Sequence, residues 1–239
     1  MMKIEKSRFL AFCEAVLAIT QECRVWLKKD GIEARAVDAA NVAMISAKMP
    51  KGAFEVYKEE TGVLGFDLPK LKTAAGLMKT GMLEIEQDKN GKLQITDGKT
   101  RYSNALLDVN TVRKDPNPPD IALPASVAVD AKELADSIKA MGLIGDKIRF
   151  SLQGAVLTLT TEGDTDLLIK EIEGEAVKSL KEPVMSLFST DYLKEIGRVF
   201  RDAETATVSM NTNHPIRIEC VVDEITLEFL VAPRIEQEG

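Results

Sequence analysis

The feature that most constrains this chain is that one pattern of apolar and turn residues occurs in it twice. Val25, Leu27 and Gly31 recur 123 positions later as Ile148, Phe150 and Gly154, and Leu93 and Ile95 recur as Ile216 and Ile218. Leu71-Lys72 returns as Leu193-Lys194, one position out of step. Each half reads as an amphipathic helix, a hairpin, further strands, a second helix and closing strands. Between the halves, Asp115-Pro116-Asn117-Pro118-Pro119-Asp120 cannot continue a helix or a central strand, because its prolines fix φ and remove backbone donors. The expected organisation is an N-terminal domain over 1–108, a connector over 109–123 and a C-terminal domain over 124–239.

The 239 residues suit one large domain or two small ones at about 150 residues per domain. No run of about 18 apolar residues occurs, and Met1-Met2-Lys3-Ile4-Glu5-Lys6 lacks the apolar stretch of a signal peptide, so an intracellular soluble protein with no membrane partner is expected. Cys13, Cys23 and Cys220 match neither a zinc motif nor a disulfide framework and read as buried thiols. The single histidine, in Asn213-His214-Pro215, reads as a turn or strand entry, which argues against histidine-based triads and multi-histidine metal sites.

Asp30-Gly31, Asn90-Gly91 and Asp97-Gly98 supply hairpin turns between alternating runs such as Leu83-Glu84-Ile85-Glu86. Four helices are expected, opening at Ser7, at Asp67 with Pro69 in the first turn, at Asp130, and at Ser189 or Thr190. Their apolar stripes are Leu68, Leu71, Ala75 and Met78 in the second, Leu134, Ile138 and Met141 in the third, and Leu193, Ile196 and Phe200 in the fourth. The fold class is α+β: two similar domains of mostly antiparallel sheet, with two helices each.

Charge is distributed unevenly. The windows 7–20, 67–79, 131–142 and 190–201 hold nine Lys/Arg and six Asp/Glu, a net of +3, whereas the whole chain, with 31 Lys/Arg and 38 Asp/Glu, carries −7, so the remainder is −10. Lys72 and Lys79 each follow a stripe residue, as do Lys139, Lys194 and Arg201. One residue is about 100° around a helix, so three helices present a cationic flank at one angle to their buried stripe. In the first helix the equivalent positions are Ala11 and Ala18, leaving Arg8. Such a surface attracts a phosphate backbone without reading bases.

Catalytic motifs are missing. Gly98-Lys99-Thr100 resembles the end of a phosphate-binding loop, but Leu93 stands where the first glycine is required. Glu162-Gly163-Asp164-Thr165-Asp166 matches no calcium loop and has the composition of a turn; a hydrolase using Asp164 and Asp166 with a divalent metal is the enzymatic rival. No Gly-x-Ser-x-Gly elbow, dinucleotide loop or Cys-x-x-Cys pair occurs. The expectation is a binding protein with no catalytic residue, metal or cofactor.

Five strings in register carry a resemblance. Val37-Asp38-Ala39-Ala40-Asn41-Val42-Ala43-Met44 follows the first hairpin, Ile144-Gly145-Asp146 and then Glu162-Gly163-Asp164 follow the third helix, Ser189-Thr190-Asp191-Tyr192-Leu193-Lys194 opens the fourth, and Val231-Ala232-Pro233-Arg234-Ile235-Glu236 lies near the carboxyl end. Together they closely resemble proliferating cell nuclear antigen, the DNA polymerase sliding clamp, in its archaeal form. The resemblance implies the DNA clamp fold, assembled as a homotrimeric ring whose helices surround double-stranded DNA without sequence preference. It implies a processivity factor that tethers DNA polymerase, flap endonuclease and DNA ligase through their PIP boxes, and that is loaded by the clamp loader, replication factor C. A checkpoint-type clamp subunit of a heterotrimer is the alternative. Location would be cytoplasmic on chromosomal DNA in an archaeal-type cell, or nuclear in a eukaryote.

By the same resemblance, Lys72, Lys139 and Arg198 match clamp positions that face DNA, and the helical angle extends the set to Lys79, Lys194 and Arg201. Thr73, Gly76, Leu10 and Ala11 stand where relatives often carry lysines, which implies weaker DNA attraction. The PIP-box pocket maps to Val37, Val42 and Met44, to Val112 in the connector, and to Pro215, Ala232 and Pro233. Subunit contact maps to edge strands at Tyr102-Ser103-Asn104-Ala105-Leu106-Leu107 and Leu167-Leu168-Ile169-Lys170-Glu171-Ile172, with Tyr102, Leu106, Leu167 and Ile169 as its apolar residues.

Overall fold

Alternation of apolar and polar residues makes antiparallel ladders throughout the chain, and a computed structural model describes residues 1–58 and 61–235 of it. Two compact units result. The first comprises Met1–Ala39, Met44–Pro116 and Asp223–Leu227; the second comprises Ala40–Ala43, Asn117–Val222 and the chain from Glu228.

Elements of the first unit run β1 (Met2–Glu5), α1 (Lys6–Leu17), β2 (Glu22–Lys28), β3 (Gly31–Val37), β4 (Ala43–Pro50), β5 (Val56–Tyr57), β6 (Gly62–Asp67), α2 (Leu68–Leu77), β7 (Met82–Gln87), β8 (Lys92–Thr96) and β9 (Arg101–Ala105). The second continues with β10 (Ala125–Asp130), α3 (Ala131–Met141), β11 (Lys147–Gln153), β12 (Val156–Glu162), β13 (Leu167–Glu173), β14 (Glu175–Lys178), β15 (Val184–Ser189), α4 (Thr190–Phe200), β16 (Thr205–Met210) and β17 (Ile216–Val222), and the last strand, β18 (Ile225–Val231), counts with the first unit up to Leu227 and with the second from Glu228. Strand order repeats with the sequence. The first unit has β4-β3-β2-β6 and β5-β1-β7-β8-β9, and the second has β13-β12-β11-β15 and β14-β10-β16-β17. Residue pairs from the sequence repeat occupy equivalent strands: Val25 is in β2 and Ile148 in β11, and Leu93 and Ile95 in β8 match Ile216 and Ile218 in β17, all buried.

Each helix packs one face inward. The stripes of α2, α3 and α4 are buried as their spacing predicts, and α1 buries Phe9, Phe12, Cys13 and Val16. α1 packs on α2, and α3 on α4. Gly197 of α4 faces Ala135 and Ile138 of α3, and Phe150 meets Phe188 edge-on with ring centroids 5.7 Å apart.

Two of the expected helix starts are confirmed in atomic detail. The Asp67 carboxylate accepts from the Lys70 N–H at 3.1 Å, and Asp130 accepts from Glu133 at 2.6 Å. The fourth helix also opens at the expected place, with Ser189 in the cap position but without its side-chain bond, whereas the first opens earlier than expected. α1 starts at Lys6 with Glu5 as its cap residue, two residues ahead of Ser7, and neither Glu5 nor Ser189 makes a side-chain cap bond. In both cases a backbone carbonyl from another loop takes the first helical N–H: Gly81 accepts from Lys6 at 2.8 Å, and Asp146 accepts from Thr190 at 3.0 Å. The Thr190 hydroxyl instead donates to the Gly145 carbonyl.

The glycines of the expected hairpins, Gly31, Gly91 and Gly98, all have positive φ. A hairpin with no glycine signal also forms, at Asp223-Glu224, where both residues take positive φ. Asn213-His214-Pro215 is a turn entering β17, and Glu162–Asp166 turns β12 into β13 with the Gly163 N–H bonded to the Asp166 carbonyl. Gly98-Lys99-Thr100 lies in the β8–β9 turn, its Lys99 and Thr100 N–H groups bonded to Asp97.

From Asp108 the chain turns tightly, with the Thr111 and Val112 N–H groups bonded to the Asp108 carbonyl. Residues 112–115 then lie against β2 and the end of β3. Arg24 donates to the Val112 carbonyl, Trp26 Nε1 to Asp115, and Arg113 to the Asp38 carbonyl. Residues 117–120 are exposed and carry no regular structure.

Gly31 and Gly154 occupy equivalent turns with different tolerances. A Cβ on Gly31, at φ +141°, would stand 2.1 Å from the Met49 carbonyl oxygen, whereas at Gly154, at φ +62°, it would meet nothing within 4 Å. Gly154→Ala should therefore cost about 1 kcal/mol, the left-handed penalty alone, and Gly31→Ala at least about 2 kcal/mol, because backbone must also move. Urea unfolding of the two variants checks the difference; equal midpoints would contradict it.

Candidate nucleic-acid and partner interfaces

Within their observed bounds the helices hold eight Lys/Arg and five Asp/Glu, again +3. The excess belongs to one pair. α1 and α2 carry Lys6, Arg8, Lys70 and Lys72 against Glu14, whereas α3 and α4 carry Lys132, Lys139, Lys194 and Arg198 against Glu133, Asp136, Asp191 and Glu195, which is neutral. The cations of α1 turn inward. Lys6 donates to the Met78 carbonyl, and Arg8 donates to the Ala53 carbonyl and pairs with Asp223 and Glu224.

The six sequence-expected DNA-facing residues fall as follows. Lys72 lies on α2, exposed, with its Nζ 2.8 Å from Glu14 of α1. Lys139 is exposed on α3 and makes no ion pair among the described residues. On α4, Lys194 is 3.4 Å from Asp191, and Arg198 Nη1 reaches both Glu195 oxygens at 2.6 and 2.7 Å. Arg201 caps α4 in helical backbone geometry and grips Asp136 of α3 at 2.9 and 3.3 Å. These hydrogen bonds, that of Arg201 foremost, hold the Asp136 carboxyl below its ordinary range.

Lys79 departs from the helical-angle reading. α2 ends at Leu77, and Met78 is extended, so the 100° step does not reach Lys79. The reason is Asp97, whose carboxylate accepts the N–H groups of Lys79, Thr80, Lys99 and Thr100 and draws the chain after α2 onto the β8–β9 turn. Those four bonds hold its carboxyl far below the usual range.

The expected pocket residues are distributed over both units. In the first, Val37 and Met44 are direct cross-strand partners of β3 and β4, and Met44 and Val112 are buried in the core. In the second, the Val42 carbonyl accepts from the Ala232 N–H at 2.8 Å, and Pro215 and Pro233 are half-buried. The segment after β18 is fixed by the Arg234 N–H to the Leu187 carbonyl at 2.7 Å and by the Arg234 guanidinium on Asp146 at 2.7 Å. Glu236, the last residue of the string Val231–Glu236, lies outside the described residues.

Edge strands are found at both expected places. β9 pairs with β8 and β13 with β12, and each ends its sheet. β9 stops at Ala105, so Leu106 lies just beyond it, because Leu107 is drawn to a bridge with Gly65 of β6. Leu167 and Ile169 are 60% and 55% exposed.

Sequence reasoning missed the carboxylates opposite the cations. The pairs Asp191–Lys194, Glu195–Arg198 and Lys132–Asp136 had a signal in their i,i+3 and i,i+4 spacing. Glu14–Lys72 and Asp136–Arg201, which join different helices, had none. The three cysteines are free and buried, and burial pushes the Cys23 and Cys220 thiols up to about 12. No helix among the described residues is long and apolar enough to cross a membrane.

A helix pair laid on antiparallel sheet, made twice in one chain, is the DNA-clamp fold. The family model for the proliferating cell nuclear antigen C-terminal domain matches residues 119–235. The DNA polymerase sliding clamp of Methanoculleus marisnigri is 40% identical over 243 residues, covering 98% of each chain, and that of Methanospirillum hungatei is 38% identical over 232 residues, covering 94% of each. The solved structure of Archaeoglobus fulgidus PCNA with the C-terminal region of FEN-1 bound matches with a TM-score of 0.92 at 29% identity, over 99% of each chain. The chain belongs to the proliferating cell nuclear antigen family of DNA polymerase sliding clamps.

The Arg234 guanidinium holds the Asp146 carboxyl below its ordinary value of 3.8. A lowered folded-state value means that the contact's contribution is complete above 3.8 and is lost as pH falls through the folded value. The protection of the Arg234 N–H against hydrogen exchange should therefore be constant from neutral pH to about 4 and fall below it. In Asp146→Asn protection should already be reduced at neutral pH and lack this acid step; an identical acid step would refute the assignment.

Proposed function

We propose that three copies of this chain associate head to tail into a ring around duplex DNA, touch its phosphates loosely, and tether replication and repair proteins at a pocket on each subunit. The observation that carries the reading is the pair of unlike sheet edges. Among the described residues, β9 in the first unit and β13 in the second each end a sheet and leave one edge without a partner strand, and β13 adds exposed Leu167 and Ile169. An edge of that kind invites aggregation if left open. Pairing unlike edges of successive copies removes the hazard, and such contacts form rings when the rotation closes. Tyr102 and Leu106 are the residues assigned to meet Leu167 and Ile169.

Lys72, Lys139, Lys194, Arg198 and Arg201 are assigned to the DNA-facing surface, with Lys79 beside it on the loop after α2. Contacts of this kind are made to phosphate and read no sequence. Val37, Val42, Met44, Val112, Pro215, Ala232 and Pro233 are assigned to the PIP-box pocket, beneath a connector over 109–123. FEN-1 on the A. fulgidus relative supports a protein-docking site of this kind. DNA polymerase, flap endonuclease, DNA ligase and the clamp loader are its proposed users. The clamp contributes processivity and no chemistry: a tethered partner that releases its DNA end remains at high local concentration and rebinds.

Light scattering across a dilution series tests the ring. The expected mass is three times that of the monomer, and Ile169→Lys should shift it to the monomer by burying a charge at the paired edge. A wild-type chain that stays monomeric at every concentration would overturn the homotrimer. The pocket is tested separately by fluorescence anisotropy with a labelled PIP-box peptide. Val42→Asp should weaken binding by about tenfold or more and leave the trimer mass unchanged, and wild-type affinity would place the pocket elsewhere.

A further inference from the structure

Four of the six cations assigned to DNA are accompanied. Glu14 holds Lys72 across α1 and α2, Asp191 and Glu195 hold Lys194 and Arg198 along α4, and Asp136 joins Lys132 of α3 to Arg201 at the end of α4. The side chains of these four carboxylates remain 44% to 87% exposed. Exposed ion pairs contribute little to stability, so holding the fold together does not account for all four. Their electrostatic effect is larger. Each puts a negative charge within bonding distance of a cation that would otherwise meet phosphate, and each makes a phosphate contact an exchange of partners instead of a gain.

We propose that Glu14, Asp136, Asp191 and Glu195 are built-in competitors of the DNA backbone, which keep each helix pair's hold on duplex DNA weak by passing the cations between carboxylate and phosphate. The inference rests on the DNA-facing assignment above. A cation that already has a partner releases a passing phosphate at little cost, which suits a surface that must move along DNA. Lys139, unpaired among the described residues, is then the strongest single phosphate contact on α3.

The test compares three variants of the full chain in equilibrium binding to a short labelled DNA duplex across a potassium chloride series. The first combines Glu14→Gln, Asp191→Asn and Glu195→Gln, sparing Asp136 because it ties α4 to α3. The second removes the same charge from exposed carboxylates off the helices, Glu86→Gln, Glu204→Gln and Glu219→Gln. The third is Lys72→Ala with Lys139→Ala. The helix-carboxylate variant should bind about tenfold tighter, with a salt slope steeper by about 0.9 for each phosphate newly neutralised, and the second variant should change by less than about twofold. An equal gain in the second variant would overturn the inference, since net charge and not position would then explain it. No gain in the first, with affinity lost in the third, would overturn it while leaving the DNA-facing surface in place. Wild-type affinity in the third would remove that surface and the inference with it.

Discussion

Each unit depends on seating the apolar stripes of two helices against antiparallel strands. In α4, Leu193, Ile196 and Phe200 are fully buried, and side chains of this size contribute on the order of 1.5–3 kcal/mol each when removed from water. That burial fixes the rotation of the helix about its axis. Once the stripe is seated, the opposite face has no freedom to choose its orientation, and the charged residues interleaved with the stripe are displayed at a set angle. The packing of the core thereby determines where charge appears on the surface.

What the surface does with the charge is a matter of magnitudes. Exposed pairs such as Lys72–Glu14 and Arg198–Glu195 are individually weak and screened by salt. A surface made of such pairs has many shallow minima for an anion and no deep one. The contrast between the helix pairs, one with a net positive charge and the other neutral, makes this unevenness part of the chain's design.

Local chemistry was readable from the sequence, and non-local chemistry was not. Asp67 and Asp130 cap their helices because the acceptor and the donor lie three residues apart, and Gly91 and Gly98 turn their hairpins because positive φ is a property of a single residue. Ser7 misled because the helix begins before it, at Lys6, whose N–H is taken by the Gly81 carbonyl far along the chain. The same reason explains the early end of α2, where Asp97 captures the following loop, and the ion pairs between helices, which no spacing rule reports. Leu106 fell outside its strand because of one bridge from Leu107 to Gly65. The repeat itself was legible, since equivalent folds demand equivalent buried positions, whereas the joining of Val42 to Ala232 rests on a backbone bond with no side-chain signature.

The three cysteines have a practical consequence. Each lies inside a unit, and burial keeps its thiol protonated well beyond neutral pH, so none offers the thiolate that alkylating reagents attack. A cysteine introduced on an exposed loop would react with a maleimide dye far faster than any native one. Site-specific fluorophores or spin labels can therefore be attached at such a cysteine, and subunit exchange or motion along DNA can be followed by energy transfer without first removing a native cysteine.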